Sequence, residues 1–192
     1  MLKYNEDWTL FLDRDGVINK RLPGRYVGDI EEFEFLFNVP NAIAKFSQIF
    51  GQIIVITNQQ GVGKKLMTEE QLGAVHQHMY EKVEMAGGQI DAVYFCPDLK
   101  TDANPCRKPS PIMGLWAQRD FPKINFKKSI MVGDSLSDIL FGKALKMETV
   151  LVETNREEMK AVLEMEKNER NFQVDRKVSG LWELAELIEN EF

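Results

Sequence analysis

Short runs of apolar residues alternate along the chain with longer stretches in which apolar residues recur every three or four positions. The short runs are rich in β-branched and aromatic side chains and nearly free of charge, which is typical of strands buried on both faces of a sheet. We place strands at Trp8–Leu12, Ile53–Ile56, Ile90–Phe95, Ser129–Val132 and Thr149–Val152. Their alternation with helices predicts an α/β fold, a Rossmann-like doubly wound parallel sheet that the last of these strands closes.

The longer stretches predict amphipathic helices, several of which begin with a proline in the first turn or with a serine or threonine cap. We predict helices from Pro40 to Gly51, from the capping box Thr68–Gln71 to Met85, from Pro111 (capped by Ser110) to Arg119, from Ser135 to Lys146, over 156–170, and over Val178–Ile188. Residues 19–38 are predicted to form a loop with a small extended piece. His76 and His78 are two positions apart and point to different faces of their helix, so we expect them at the surface and not in a joint metal site.

Composition limits the number of domains and the class of ligand. A chain of 192 residues, 44% of them hydrophobic, can bury one well-packed core, so we expect a single domain over residues 1–192. Acidic residues exceed basic ones, 30 to 24, and the net charge of −6 favours an enzyme of small molecules over a protein that binds nucleic acid or membrane surfaces.

The sequence also bears on the compartment. No apolar run approaches the ~20 residues of a membrane span, and the first residues lack the apolar segment of a secretory signal. The only cysteines, Cys96 and Cys106, are too few for a disulfide framework, which is in line with a reducing environment. We therefore expect a cytoplasmic protein.

Two carboxylates, Asp13 and Asp15, directly follow the first predicted strand, and Gly16 then marks a turn. A buried carboxylate without a partner is costly, and a metal ion is the simplest way to offset that cost. Aspartate next to glycine is also common as an ordinary turn or capping residue. This stretch alone leaves both interpretations open.

The loop after the second predicted strand, Thr57–Lys65, is suited to an anion. It combines a hydroxyl, three amides, two glycines and the lysines Lys64 and Lys65 at the carboxyl end of a strand, where open parallel sheets bind their ligands. Small side chains let backbone N–H groups approach phosphate oxygens, and lysine supplies charge. Ordinary loops have a similar composition, so this loop is a weak signal when taken alone.

Further charged residues belong to the third and fourth predicted strands. Arg107 and Lys108 stand just before a predicted helix, where two cations repel each other and the helix dipole unless they share an anion. Asp134 and Asp138 follow the fourth strand. Because the carboxyl ends of parallel strands meet at one edge, all these groups are predicted to converge. Phosphoryl transfer to a carboxylate needs this set: acidic groups for magnesium, a lysine and polar donors for the phosphate oxygens, and a free carboxylate to attack phosphorus.

The chain resembles the haloacid dehalogenase-like phosphatases in four motifs, found in order at the expected strand ends. They are Asp13–Asn19, Thr57–Gln59, Lys108–Pro109 and Gly133–Asp138, which together span most of the chain. The resemblance implies that Asp13 is the nucleophile that forms an aspartyl-phosphate. It implies that Asp15 is the general acid and base, which protonates the leaving alcohol and then activates water.

The same resemblance implies the phosphate and metal ligands. Thr57, Asn58 and Lys108 would bind the phosphoryl group. Asp13, the backbone carbonyl of Asp15, and Asp134 would ligate Mg²⁺. Asp138 would support Lys108 or an outer-shell water.

A narrower resemblance is to the D-glycero-D-manno-heptose-1,7-bisphosphate 7-phosphatases, with the histidinol-phosphate phosphatases as near relatives. It depends on Tyr26–Val27 with Phe33–Phe35, on Thr57–Glu69, and on Cys96–Pro97 before Cys106–Pro109. Such enzymes lack a large cap domain, and 192 residues leave no room for one. The resemblance implies that Arg107, with Lys64 or Lys65, binds the second, non-reacting phosphate or the sugar. Heptose-type relatives tend to carry an arginine where this chain has Lys64, and a lysine lacks the bidentate fork, so the preferred substrate remains open.

The resemblance thus implies a magnesium-dependent phosphatase that acts on a small phosphate ester. We further expect a monomer without nucleic acid or membrane partners. A polynucleotide 3′-phosphatase is an alternative, but the net charge of −6 and the lack of a basic, aromatic-bearing groove count against it. A non-catalytic module that binds a phosphate ligand is another alternative. The presence of Asp13, Asp15, Lys108 and Asp134 together counts against that one.

The loop before Lys108 departs from its relatives, which typically bind a structural zinc through a Cys-x-His pair and a Cys-x-Cys pair. Here the pairs read Cys96-Pro97-Asp98 and Asn104-Pro105-Cys106. Structural zinc sites are almost always four-coordinate and built of cysteine and histidine. We predict that the protein holds no stoichiometric structural zinc and that both cysteines are free thiols packing a shortened loop. The alternative is a weak site of Cys96, Asp98, Cys106 and water.

Overall fold

A six-stranded parallel sheet with the order β3-β2-β1-β4-β5-β6 forms the centre of the molecule. The computed structural model describes residues 3–103 and 105–190. The strands are β1 (Thr9–Leu12), β2 (Gln52–Asn58), β3 (Ala92–Cys96), β4 (Ser129–Gly133), β5 (Glu148–Val152) and β6 (Arg176–Val178). Every strand predicted from the sequence is present, and the predicted doubly wound parallel fold is confirmed.

Helices connect the strands and cover both faces of the sheet. They are α1 (Val39–Phe46), α2 (Gln60–Gly63), α3 (Glu69–Met85), α4 (Ile112–Asp120), α5 (Leu136–Ala144), α6 (Arg156–Asn168) and α7 (Leu181–Asn190), with 3₁₀ turns at Ile30–Glu32 and Phe126–Lys128. The predicted capping box at Thr68 is present and opens α3. No helix in the part of the chain that the structure describes is long and apolar enough to cross a membrane.

The side chains of β1 show why its run is apolar at every position. Leu10 and Leu12 pack into the larger core beneath α1, α3 and α7, whereas Phe11 packs on the opposite face with α4 and α5. All three side chains are fully buried. Because neighbouring side chains of a strand point to opposite faces and both faces are covered by helices, no polar position remains within the strand.

The strand order places the ends of β1, β2 and β4 side by side. Leu12 pairs with Val55 on one side and with Val132 on the other, so the residues that follow these strands start at nearly the same level. From β1 the chain proceeds to β2 and β3 on one side, then returns to β4, β5 and β6 on the other. Such a switch point opens a crevice at the carboxyl ends of the strands, where ligands bind.

The structure differs from the sequence predictions at several element ends. The sheet continues past the predicted last strand, because Arg176–Val178 pairs with β5 where we expected the final helix to begin. Ser110 does not cap α4, which starts at Ile112 without a side-chain cap. The first helix ends at Phe46, before the predicted Gly51. The expected extended piece of residues 19–38 is a single bridge between Asn19 and Phe35.

Candidate active site

Lys108 lies at the centre of the carboxyl edge and joins three strand ends. Its Nζ atom lies 2.6 Å from Asp13 Oδ1, 2.6 Å from Asp138 Oδ1 and 2.7 Å from the carbonyl oxygen of Ile56. Burial would lower the pKa of Lys108, but the two carboxylates outweigh it and raise the pKa, so the ammonium stays charged. Two hydrogen bonds, to Asp13 and to the Ile56 carbonyl, and the ion pair with Asp138 fix this cation beside Asp13.

Three buried carboxylates surround this point. Oxygens of Asp13, Asp134 and Asp138 lie within 4.8 Å of one another. Burial, which Lys108 only partly offsets, raises the pKa of Asp13 to about 6, and burial together with the nearby Asp13 raises that of Asp134 to about 8. Oδ2 of Asp134 is buried and has no hydrogen-bond partner among the described residues. A cluster of hard oxygen ligands with excess negative charge and an unsatisfied oxygen suits a divalent cation such as Mg²⁺.

Two glycines allow the carboxylates to approach the backbone this closely. Gly16 has a φ of +98°, and a Cβ atom there would lie 2.1 Å from Oδ2 of Asp134. A Cβ atom on Gly133 would lie 2.1 Å from Cβ of Asp138. No larger residue fits at either position without moving a carboxylate, so the turn after β1 and the end of β4 both require glycine.

Asp15 is held in place by donors on both of its oxygens. Arg14 Nη2 lies 3.0 Å from each of them, Asn19 Nδ2 donates to Oδ1 at 2.9 Å, and Gln59 Nε2 donates to Oδ2 at 2.8 Å. Burial would raise the pKa of Asp15, but the Arg14 charge and these hydrogen bonds outweigh it and lower the pKa. The carboxylate is therefore ionised and oriented in this state.

Arg14 is oriented in turn by His76 from α3. The guanidinium is fully buried, and its Nη1 lies 3.1 Å from Nε2 of His76. A guanidinium only donates, so Nε2 accepts and the imidazole is neutral. Burial and the Arg14 charge lower the pKa of His76 to about 3. Our expectation that His76 lies at the surface is wrong, because this helix face covers the turn that carries Arg14.

Thr57 and Asn58 stand at the end of β2 and line the cleft above the carboxylates. Thr57 Oγ1 accepts a hydrogen bond from Gln59 Nε2 at 2.9 Å. Asn58 Oδ1 accepts the backbone N–H of Lys108 at 2.8 Å, and its Nδ2 donates to the Lys108 carbonyl at 3.3 Å. Asn58 thus positions the backbone of Lys108. The Nε2 atom of Gln59 donates to both Thr57 and Asp15 and so links the Thr57 hydroxyl to the Asp15 carboxylate.

A cleft of about 780 Å³ opens above these groups. Its cationic lining residues are Arg21, Arg25, Lys64, Lys100, Arg107 and Lys108. Arg107 Nη1 is buried without a hydrogen-bond partner in the part of the chain that the structure describes. Lys64 Nζ donates to the hydroxyl of Tyr26 at 3.1 Å. The structure thus brings Arg107 and Lys64 to the cleft, whereas Lys65 is exposed and does not line it.

Several residues that hold this site together are absent from the sequence-based assignment: Arg14, Asn19, Arg21, Gln59 and His76. Arg21 Nη2 lies 2.7 Å from Oδ1 of Asp134 and 3.2 Å from the carbonyl oxygen of Asp15. Arg14 and Gln59 lie inside the motifs Asp13–Asn19 and Thr57–Gln59. The need of a buried Asp15 for hydrogen-bond donors is the sequence signal that could have identified them. Arg21 carries no such signal, because its partner Asp134 is 113 positions away in the sequence.

The loop before Lys108 contradicts one prediction. The sulfurs of Cys96 and Cys106 form a disulfide, so neither residue is a free thiol. Asp98 accepts the Cys106 N–H at 2.7 Å and draws the shortened loop back to the end of β3, where the two sulfurs meet. Asn104, where the resemblance implied the loss of a zinc ligand, lies outside the described residues. The expected lack of structural zinc stays a prediction.

This parallel sheet, with its carboxylates and lysine at the switch point, defines the class of the haloacid dehalogenase-like hydrolases. The HAD-hydrolase-like family model matches residues 105–183. Over 132 residues the chain is 41% identical to a D-glycero-alpha-D-manno-heptose-1,7-bisphosphate 7-phosphatase of Mycobacterium bovis, covering 69% of this chain and 70% of the relative. A D-glycero-beta-D-manno-heptose-1,7-bisphosphate 7-phosphatase of Vibrio cholerae is 35% identical over 77% of this chain and 82% of its own.

A solved structure agrees with these relatives. The D,D-heptose 1,7-bisphosphate phosphatase of B. bronchiseptica, in complex with magnesium and phosphate, superimposes with a TM-score of 0.84 at 28% identity. The match covers 96% of this chain and 99% of that one. The chain belongs to the family of the heptose-1,7-bisphosphate 7-phosphatases, and the resemblance seen in its sequence is confirmed.

Proposed function

We propose that the protein is a Mg²⁺-dependent phosphatase that removes the 7-phosphate of D-glycero-D-manno-heptose 1,7-bisphosphate through an aspartyl-phosphate at Asp13. The observation that carries this proposal is the buried Asp13–Lys108 pair at the floor of a cationic cleft. The names of the relatives support the substrate, and the magnesium and phosphate bound to the B. bronchiseptica enzyme support the cofactor.

The residues at the cleft floor fit a magnesium ion. The ion would be held by Asp13, Asp134 and the backbone carbonyl of Asp15. The Oδ2 atom of Asp134, which has no hydrogen-bond partner among the described residues, would then coordinate the ion. When bound, the ion would neutralise phosphate charge and favour attack on phosphorus. Lys108 would add a second fixed positive charge on the same side of the phosphate, already oriented before the substrate arrives.

Asp13 has one carboxylate oxygen that could attack phosphorus. Its Oδ1 is held by Lys108, whereas Oδ2 makes no side-chain hydrogen bond to the described residues. Oδ2 would form the bond to phosphorus while the bond from phosphorus to O7 of the sugar breaks. The Thr57 hydroxyl and the Lys108 ammonium would bind oxygens of the transferring group.

Asp15 would serve the two proton transfers. The lowered pKa of Asp15 favours the ionised carboxylate, which fits the second step, in which it takes a proton from the water that hydrolyses the aspartyl-phosphate. The first step needs a protonated Asp15 that gives its proton to the leaving O7. The approach of an anionic phosphate raises the pKa of a neighbouring carboxyl group, which favours that protonated form when substrate binds.

The rim of the cleft supplies cations for the second phosphate. Arg107 carries a buried donor without a partner, and Lys64 and Arg25 face the same space. A bidentate guanidinium suits a phosphate that must be bound without reacting. We therefore assign Arg107 to the phosphate at C1, with Lys64 as an additional contact.

Side-by-side hydrolysis assays test the substrate. We would compare both anomers of the heptose bisphosphate, histidinol phosphate and a 3′-phosphorylated oligonucleotide, each with and without Mg²⁺. We expect the highest kcat/KM for one heptose anomer, and the alpha form is favoured by the relative with 41% identity. Preference for histidinol phosphate or the oligonucleotide would contradict the substrate. Turnover of none of them, unchanged by Asp13→Asn, would indicate a binding module.

Arg107→Gln tests the second phosphate site. We expect KM for the bisphosphate to rise about tenfold or more, while KM for the heptose 7-monophosphate changes little, because a lost charge-assisted contact costs about 1.5–3 kcal/mol. Lys65→Gln is the matched control, since it removes a cation of the same region that does not line the cleft. Equal effects of Arg107→Gln on both substrates would contradict the assignment.

We also propose that the protein acts as a cytoplasmic monomer. All the groups assigned above come from one chain, so a single copy suffices, and a sugar bisphosphate, with about three to four negative charges at pH 7, does not cross a lipid bilayer unaided. Light scattering after size exclusion tests the first statement, and cell fractionation tests the second. A stable dimer at micromolar concentration would contradict the monomer.

A further inference from the structure

Arg21 binds the same two groups that the proposed function assigns to the metal. Its Nη2 atom donates to Asp134 Oδ1 at 2.7 Å and to the carbonyl oxygen of Asp15 at 3.2 Å. The Asp134 carboxylate is almost fully buried, whereas the Arg21 side chain is 44% exposed and lines the cleft. The Arg21 side chain thus reaches inward from the cleft to one oxygen of the carboxylate whose other oxygen, Oδ2, is assigned to the metal, and to the Asp15 carbonyl that the metal would share.

The charge of Arg21 meets an electrostatic need of the metal-free site. Asp13, Asp134 and Asp138 crowd together, and Lys108 forms salt bridges with Asp13 and Asp138, whereas no salt bridge joins it to Asp134 in the described structure. The guanidinium is the cation paired with Asp134 in the described structure. Two cations compete when they share an acceptor, because each weakens the attraction of the other for it.

The backbone around Arg21 is held independently of this contact. Lys20 N donates to the Glu34 carbonyl at 2.8 Å, and Leu36 N donates to the Ile18 carbonyl at 3.0 Å. Arg25 further along the same loop pairs with Glu32 at 3.0 Å. The Arg21 side chain can therefore leave Asp134 by rotating about its own bonds, without unfolding of the loop.

We propose that Arg21 is a resident cation that stabilises the metal-free site, competes with Mg²⁺ for Asp134 and the Asp15 carbonyl, and on displacement binds the substrate phosphate from the cleft side. This inference rests on the magnesium site of the proposed function. It implies that metal loading and phosphate binding are coupled: Mg²⁺ frees a guanidinium that the metal-free enzyme keeps occupied.

Calorimetric titration with Mg²⁺ alone tests the competition in wild type, Arg21→Gln and Arg25→Gln. We expect the Kd for Mg²⁺ to fall about tenfold in Arg21→Gln, since the ion no longer displaces a charge-assisted hydrogen bond. Arg25→Gln removes the same charge from the same cleft without touching Asp134, so its Kd should remain within about twofold of wild type.

Titration with inorganic phosphate at saturating Mg²⁺ tests the second role. We expect weaker phosphate binding in Arg21→Gln than in wild type, and no such difference without Mg²⁺. An unchanged or higher Mg²⁺ Kd in Arg21→Gln overturns the inference while leaving the metal site intact. A wild-type protein that binds no Mg²⁺ overturns the metal site itself, so the two failures are distinguishable.

Crystal structures of the wild type with and without Mg²⁺ keep the inference testable if Arg21→Gln does not fold. Displacement of Arg21 Nη2 from Asp134 in the loaded crystals, beyond hydrogen-bond distance, supports the competition. An Arg21–Asp134 contact that persists at 2.7 Å beside bound Mg²⁺ overturns it.

Discussion

At the level of single residues, buried ion pairs hold the site together, and burial strengthens the electrostatic interactions between their charges. Lys108 forms ion pairs with Asp13 and Asp138 and a hydrogen bond to a strand carbonyl, and all three charged groups are buried. Removal of one partner from a buried ion pair leaves an uncompensated charge and typically costs 3–5 kcal/mol. Substitutions here must therefore keep shape and hydrogen bonding if they are to report on chemistry.

Asp13→Asn meets that condition and tests the nucleophile. We expect turnover to be abolished, because an amide cannot form the aspartyl-phosphate, while the side-chain oxygen still accepts from Lys108. Phosphate release should fall to background, and the circular dichroism spectrum should stay that of the wild type. Substantial turnover by a folded Asp13→Asn protein would contradict the mechanism.

Asp13, Lys108 and Asp134 were predictable because each follows an apolar strand or its loop, and parallel strands bring their carboxyl ends together. The roles of Arg14, Arg21 and His76 were not predictable in the same way. They arise from side-chain contacts between elements, such as Arg14 with His76, 62 positions away. Helical spacing located His76 on α3 but could not show that its face covers the turn after β1.

At the scale of elements, α3 supports the catalytic turn through His76, and the folded state keeps this imidazole neutral. Its pKa is lowered to about 3, whereas an unfolded chain protonates histidine near 6.5. The unfolded state therefore binds more protons between these values, so the free energy of unfolding should decrease as the pH falls from about 6.5 towards 3. The contribution approaches ~1.4 kcal/mol per pH unit.

His76→Gln should remove this pH-dependent part, because glutamine keeps an acceptor for Arg14 but does not titrate. Urea unfolding of wild type and variant between pH 4 and 7 measures the difference in slope. The chain has two histidines, and His78→Gln on the same helix is the matched control. Equal slopes for His76→Gln and wild type would contradict a buried neutral imidazole.

The β3–α4 loop is the element for which the sequence predicts the absence of a structural zinc. The disulfide between Cys96 and Cys106 occupies both sulfurs, so the oxidised protein has no thiolate to offer a metal there. We predict less than about 0.1 zinc per chain after dialysis without chelator, measured by mass spectrometry for metals, and no change in melting temperature with a strong chelator in metal-free buffer. Close to one zinc per chain would contradict this prediction.

The sequence indicated the zinc-ligand losses at Asp98 but not the disulfide, because two cysteines ten positions apart fit a free-thiol loop as well as a bonded one. Their pairing depends on how tightly the loop folds back. The hydrogen bond from the Cys106 N–H to Asp98 folds the loop back, and no local sequence pattern predicts that hydrogen bond. The short strand Arg176–Val178 was not predicted, because three residues, two of them charged, do not form an apolar run.

At the scale of the whole molecule, a chain with a net charge of −6 presents a cleft lined by arginine and lysine. Composition favoured a small-molecule substrate, but it could not show where the cations gather. The fold separates the two kinds of charge within the cleft. The ends of the parallel strands place the acidic groups at the cleft floor, and the loops place the basic groups at its rim. Metal binding should then affect the stability of the entire domain.

The last prediction concerns this link between metal and folding. In the metal-free protein, burial raises the pKa of Asp13 to about 6 and of Asp134 to about 8, so the folded state binds more protons than the unfolded state above about pH 4. These two groups therefore lower the free energy of unfolding as the pH rises from about 4 to 8. Mg²⁺ binds the ionised forms, so its stabilising effect should grow over the same range.

Melting temperatures with and without Mg²⁺ at pH 5.5 and pH 8 measure this effect. At a fixed Mg²⁺ concentration of about 100 times the Kd at pH 8, the ion should add ~2.7 kcal/mol to the free energy of unfolding at pH 8. This corresponds to a rise in melting temperature of roughly 5–10 °C for a chain of this size. The rise should be smaller at pH 5.5, where the same concentration is a smaller multiple of the Kd. Comparison at a fixed pH cancels the contribution of His76, which does not contact the carboxylate cluster. Asp134→Asn should lose most of the shift, and an equal shift in that variant, or one independent of pH, would place the ion elsewhere.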